Sequence, residues 1–147
     1  MLAFALLSCK NSKKKSPEDA LDDRLKVMEA DRSFSRLSEA KGMRSAFLDY
    51  IDSNGVLLRR DHLPLVGADA IDYLIQQNDS SFTLKWEPKN AVVAASGDLG
   101  YTYGLYVLKP TVKDTLIYGN YVSIWKKQAD GNWKFVLDTG NEGIGKE

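Results

Sequence analysis

Cysteine and histidine are almost missing from this chain of 147 residues, which has one thiol, Cys9, and one imidazole, His62. A lone cysteine cannot close an internal disulfide, and no Cys/His cluster has metal-ligand spacing, so a disulfide scaffold and a zinc module are both excluded. Neither sign of charge is in excess, with 20 Lys+Arg against 20 Asp+Glu. A surface that tracks phosphates needs a basic surplus, so no nucleic-acid partner is expected. No apolar run approaches the roughly 20 residues that span a bilayer as a helix. The nucleophile elbow, the P-loop and the His-Glu-x-x-His zinc motif are also absent. The Asp52-Ser53-Asn54-Gly55 turn lacks the ligand spacing of a calcium loop. Glycines between 140 and 145 follow the last expected strand and open no helix, so they read as a frayed terminus. No cofactor and no metal are expected.

What is present is the composition of an ordinary globular domain, 44% hydrophobic and 27% charged. A chain of about 130 to 140 folded residues buries roughly two thirds of its unfolded surface, enough for one core without staples.

Residues 1–8 form an apolar run that ends at Cys9 and gives way to a polar, basic stretch containing Lys13, Lys14 and Lys15. Such a run before a small residue reads as the end of a signal-peptide core, to be set aside from the fold. The quartet Leu6-Leu7-Ser8-Cys9 resembles the bacterial lipobox. That resemblance implies lipidation of Cys9, a tether over 9–16 and a lipid-anchored protein of the bacterial envelope facing the periplasm. The competing reading is a buried N-terminal strand with a core cysteine.

Ser16-Pro17-Glu18-Asp19 is a helix start, with a Ser cap, Pro at the first position and acids in the first turn. Leu21, Leu25, Met28, Phe34 and Leu37 give that helix an apolar stripe, and Gly42 ends it. A short second helix follows from Met43 to Tyr50, closed by the Asp52–Gly55 turn signal. A strand is expected over 56–60 and a third helix over 67–77. From there the period changes from 3.6 to 2. Runs at 81–87, 91–96, 100–109, 116–127 and 133–138 read as an antiparallel meander, with Asp130-Gly131-Asn132 as its clearest hairpin turn. Helices first and a long sheet afterwards is an α+β pattern. The domain is expected over 17–141, with 142–147 flexible.

Several of these segments together resemble one family. They are Phe34, Ala46-Phe47, Gly67 with Ala70-Ile71, Trp86-Glu87-Pro88, the run Ser96 to Gly104, Trp125-Lys126-Lys127 and Asp130 to Lys134. The set is similar to the DUF4440 branch of the NTF2-like superfamily, which includes SnoaL-like proteins, over roughly residues 20 to 140. The resemblance implies a cone, in which a strongly curved antiparallel sheet wraps the N-terminal helices around a cavity. It also implies a homodimer formed through the sheet. The superfamily hosts isomerases, dehydratases, cyclases and binding modules, so it locates a site without naming its chemistry.

Two residues are candidates for catalysis. His62 has a side chain whose ordinary pKa suits a general base, and its rival reading is a loop residue at the rim. Asp138, near the end of the last strand among apolar neighbours, is the candidate acid or base of an isomerase-like site. Its rival reading is a satisfied structural carboxylate. Alternation groups Trp133, Phe135 and Leu137 against Lys134, Val136 and Asp138, and it does not decide which side faces inward. Candidate ligand-binding residues are Tyr50, Tyr103, Tyr106, Tyr121 and Trp125, aromatic walls with a few polar tips. Arg60 would meet an anionic group, although one of Arg59 and Arg60 must face solvent.

The leading expectation is an envelope lipoprotein whose cone holds a small apolar or weakly polar molecule, touching the membrane through its anchor only. The rivals are a SnoaL-like or ketosteroid-isomerase-like enzyme acting by proton abstraction, and a non-catalytic dimerisation or interaction module.

Overall fold

The structure is a computed structural model that describes residues 16–144, so Cys9, the signal remnant and most of the tether lie outside the described residues. Helix α1 (Pro17–Lys41) begins as its sequence dictates. The Ser16 hydroxyl accepts from the Asp19 backbone N–H, and the Asp19 carboxylate accepts from the Ser16 backbone N–H. Gly42, at φ 91°, separates it from α2 (Met43–Tyr50). Then come β1 (Ile51–Leu58), the two-residue β2 (Leu65–Val66), α3 (Ala68–Gln76) and four long strands, β3 (Phe82–Val93), β4 (Leu99–Pro110), β5 (Ile117–Lys127) and β6 (Trp133–Glu142). The six strands form one sheet in the order β2-β1-β6-β5-β4-β3. The helices pack inside its curve, giving the α+β cone.

The buried face of α1 is rotated from the expected stripe. Leu21 and Leu25 are more than half exposed, while Asp23, Val27, Asp31, Phe34, Ser35 and Ser38 point inward. The serines of that face have partners on the sheet edge. The Ser35 hydroxyl donates to the Trp86 carbonyl at 2.7 Å and accepts from the Trp86 N–H at 2.8 Å, and the Ser38 hydroxyl donates to the Leu84 carbonyl at 2.7 Å. Strand β3 is an edge strand, and these serines satisfy backbone groups that would otherwise template another chain.

Bulges account for the other departures. The Asp52–Gly55 turn chemistry forms, with the Asn54 N–H donating to Asp52 at 2.9 Å, but it lies inside β1 as an irregularity in the pairing with β6. That pairing is parallel, whereas β3, β4, β5 and β6 pair antiparallel in sequence, as the expected meander requires. Pro88 does not separate two strands, because β3 bulges between Pro88 and Asn90 and runs on. Strand β6 reaches Glu142, which pairs with Gly119, so the terminus expected to fray at Gly140 is ordered through the strand's end.

The core centres on Phe34. Its ring lies 4.5 Å from Trp86, 4.7 Å from Phe47, 4.9 Å from Tyr50 and 5.5 Å from Phe135, centroid to centroid. Edge and offset contacts at these distances add to the burial of large apolar rings.

Candidate functional site

A cavity of about 240 Å³ opens between the helices and the inner face of the sheet. Phe34, Phe47, Phe82, Trp86, Tyr106 and Tyr121 supply rings to its walls, and Arg59, Asp138 and Gly140 lie at its polar side. On β4 the even positions Thr102, Gly104 and Tyr106 face inward or are buried, and the odd positions Tyr101, Tyr103 and Leu105 are exposed. Gly119 and Gly140 leave room for the Tyr106 ring. A Cβ on Gly119 would lie 2.3 Å from that ring, and one on Gly140 would lie 3.5 Å from it.

Asp138 reaches this space because of a bulge. Ile124 pairs with Leu137 and Trp125 with Phe135, leaving Val136 as the extra residue. The strand changes phase there, so Phe135 and Asp138 share the inner face although they are three residues apart. This is the feature that alternation alone could not resolve.

The Asp138 side chain is buried and both its oxygens are held. The Arg59 guanidinium donates to Oδ1 at 2.7 Å and the Ser123 hydroxyl donates to Oδ2 at 2.7 Å. Arg59 also donates to the carbonyls of Asp138 and Leu58, both at 3.0 Å, and lies 5.5 Å from the Phe47 ring centre. The guanidinium is thus fixed by a charge pair, two carbonyls and an aromatic face.

A second buried carboxylate sits behind the aromatic wall. Asp31 of α1 is fully buried, and it accepts from the Trp86 indole N–H at Oδ1 and from the Tyr121 hydroxyl at Oδ2, each at 2.7 Å. The Thr102 hydroxyl is hydrogen-bonded to the same carboxylate and accepts from the Trp125 indole N–H at 2.8 Å. Desolvation dominates, raising the Asp31 pKa to about 6 against the pull of those donors. Burial, with the Asp31 charge beside it, pushes the Tyr121 phenol far above its ordinary range.

The sequence-derived candidates divide accordingly. Asp138, Tyr106 and Tyr121 meet at the cavity. Trp125 is fully buried in the core and Tyr103 is 45% exposed on the outer face, so neither touches the cavity space. Tyr50 stacks on Phe34 and lines a separate polar cleft with Lys26, Glu29 and Lys134. Arg60 is exposed, and its neighbour Arg59 is the arginine that turns inward. His62 sits in the exposed turn after β1, its ring 5.2 Å from that of Tyr73, and does not border the cavity. Arg59, Trp86 and Asp31 were missed as site residues. Val27, Asp31, Phe34 and Ser38 follow helical spacing, so an acid on the inward stripe was the available signal for Asp31. Among the described residues no group of three or more His, Cys, Asp or Glu side chains is placed to hold a metal ion.

Solved structures match this arrangement over most of its length. An NTF2-like protein with a cystatin-like fold from Novosphingobium aromaticivorans superposes with a TM-score of 0.65 at 16% identity, covering 84% of this chain and 83% of that one. The fold is NTF2-like. A ketosteroid isomerase-like protein from Erwinia carotovora atroseptica gives 0.63 at 15% identity, over 86% of this chain and 98% of its own. A candidate scytalone dehydratase from Novosphingobium aromaticivorans gives 0.69 at 13%, over 88% and 89%. At such identities the NTF2-like likeness is one of fold alone. No family model matches the sequence, and no curated protein matches it.

Proposed function

We propose that the cone is a binding site for one small, largely apolar molecule of about single-ring size, held with a polar edge toward Arg59 and Asp138. The observation that carries this reading is the cavity itself, walled by aromatic rings and bounded on one side by a part-buried ion pair. Volume sets the ligand class. A dry cavity of roughly 150 Å³ takes benzene, so about 240 Å³ suits a substituted ring or short branched chain and is too small for a four-ring skeleton. Native mass spectrometry of protein purified from its own host tests this. A retained mass of a small organic molecule supports the reading, whereas bare protein that also fails to bind any single-ring probe removes it.

An enzyme acting by proton abstraction is the second reading, supported by the carboxylate at the cavity and by the names borne by two of the matched structures. It is the weaker one because Arg59 and Ser123 already occupy both Asp138 oxygens, and a base would have to be released from them. Unchanged turnover of Asp138→Asn on any substrate found would eliminate it.

The DUF4440-like assignment rests on the Ser96–Gly104 segment with Asp130 to Lys134, and the envelope-lipoprotein assignment on Leu6 to Cys9 followed by the lysine tether. Palmitate labelling that disappears in Cys9→Ala checks the anchor. A homodimer is supported by the outward row of Leu99, Tyr101, Tyr103 and Leu105, each more than a third exposed. Sedimentation analysis of the protein and of Tyr103→Lys checks that.

A further inference from the structure

We infer that the ligand carries a neutral carbonyl oxygen, as an amide or ester group on its ring, and that the free Nε–Nη2 edge of Arg59 receives this oxygen side-on. The inference rests on the ligand-pocket reading above and deepens it by naming the polar group of the ligand and the donors that meet it.

A guanidinium holds five N–H groups in one planar fork and accepts nothing, so its commitments can be counted. Nη1 uses both protons, one on the Leu58 carbonyl and one on the Asp138 carbonyl, each at 3.0 Å. Nη2 uses one on Asp138 Oδ1 at 2.7 Å. Asp138 therefore meets the Nη1–Nη2 end of the fork, and the Leu58 carbonyl meets one flank. Two protons remain, that of Nε and the second of Nη2, and in a planar guanidinium they are parallel neighbours on the opposite flank. Among the described residues no acceptor meets that edge. Arg59 borders the cavity, its charge centre 5.5 Å from the centre of the Phe47 ring that forms part of the wall. The bonds to β1 and β6 hold the guanidinium, so it cannot swing round to satisfy the free edge elsewhere. A ring that displaces water here without bringing an oxygen leaves two donors unpaired, whereas a carbonyl oxygen with in-plane lone pairs accepts from both.

Charge decides between a neutral and an anionic acceptor. Among the described residues lining the cavity Arg59 is the sole cation, and Asp138 already balances it. A ligand carboxylate would share the guanidinium with Asp138 and leave one negative charge in excess in a part-buried site. A carbonyl oxygen adds no charge. Tyr106 places a second polar tip toward the same strand. A Cβ on Gly119 would lie 2.3 Å from the ring carbon that bears its hydroxyl, and one on Gly140 would lie 3.5 Å from the ring. The side chain therefore crosses β5 toward β6, where Gly140 stands two residues from Asp138. A phenol hydroxyl both donates and accepts, so Tyr106 can serve the carbonyl oxygen or the N–H of an amide, while the Arg59 edge can serve the oxygen alone.

Toluene, benzamide and benzoate share one ring and differ in the group it bears. Titration of the native chain with each at pH 7.5, followed in ¹H–¹⁵N correlation spectra, tests the inference. Benzamide is expected to bind at least about ten-fold tighter than toluene, and benzoate more weakly than benzamide. The Arg59 Nε–H resonance should move downfield with benzamide and not with toluene, a signature that a purely structural Arg59 would not give. Arg59→Lys keeps a cation beside Asp138 but lacks the planar edge, and should bring benzamide to within about two-fold of toluene. If Arg59→Lys does not fold, the Nε–H resonance of the native chain makes the same test. Equal binding of toluene and benzamide with the Arg59 resonance unmoved, or benzoate tighter than benzamide, overturns this inference and leaves the pocket reading standing. Failure of all three, toluene included, overturns the pocket reading itself.

Discussion

The two buried carboxylates nearest the cavity have different partners. Asp138, at the β1–β6 side, faces a guanidinium 2.7 Å away, while Asp31, at the α1–β3–β5 side, has only neutral donors around it. A cationic partner offsets the charge of a buried carboxylate directly. Neutral donors stabilise the anion less than burial penalises it, so the group stays responsive near neutral pH. One side of the cavity is therefore organised by an ion pair, and the other by neutral hydrogen bonds around a carboxyl whose pKa burial raises.

The largest effect should come from breaking the fixed side. Arg59→Met leaves the Asp138 charge buried and unpaired, and is expected to cost about 3–5 kcal/mol in denaturant unfolding. The double variant Arg59→Met with Asp138→Leu removes both charges and should recover most of that loss. Failure to recover would mean that the pair contributes specific contacts beyond charge balance.

Next comes the responsive side. Folding raises the Asp31 pKa from 3.8 to about 6, so the native state holds a proton that the unfolded chain has released between those values. For an acid shifted upward, that contribution is fully present below about pH 4 and is lost as pH rises through 6. Unfolding free energy of the native chain, measured against Asp31→Asn, should fall by on the order of 3 kcal/mol between pH 4 and pH 7. A flat difference would show that Asp31 is not the titrating group.

Gly140→Ala sharpens the cavity side of the comparison. Its methyl would meet Tyr106 and Tyr121 at 3.5 Å and the Asn120 carbonyl at 3.2 Å. Binding of a single-ring probe should weaken by about ten-fold, with stability changed by about 1 kcal/mol or less. The smallest effect is expected for His62→Ala, within about 0.5 kcal/mol and without change in probe affinity, because His62 is exposed and outside the cavity.

Much of this was legible in the chain. The Ser16-Pro17 start, Gly42, the Asp130-Gly131-Asn132 turn and the change of period after residue 80 located most elements, since capping, turn chemistry and pleat periodicity act over a few residues. The inward face was harder. Leu21 and Leu25 suggested the wrong stripe on α1 because the true one contains Asp31, Ser35 and Ser38, which are buried only by virtue of partners on distant strands. Asp138 was named and its face was not, because the bulge at Val136 depends on pairing with β5. Of the two adjacent arginines, sequence offered no means of choosing Arg59 over Arg60. That choice follows from the register of β1 against β6, where Leu57 pairs with Asp138.

Chemical-shift mapping in ¹H–¹⁵N correlation spectra during a phenol titration at pH 7.5 tests the central claim most directly. Saturable shifts centred on Phe47, Arg59, Tyr106, Asp138, Gly140 and the Trp86 indole N–H are expected. Shifts that never saturate, or that gather around Tyr103 on the outer face, would contradict it.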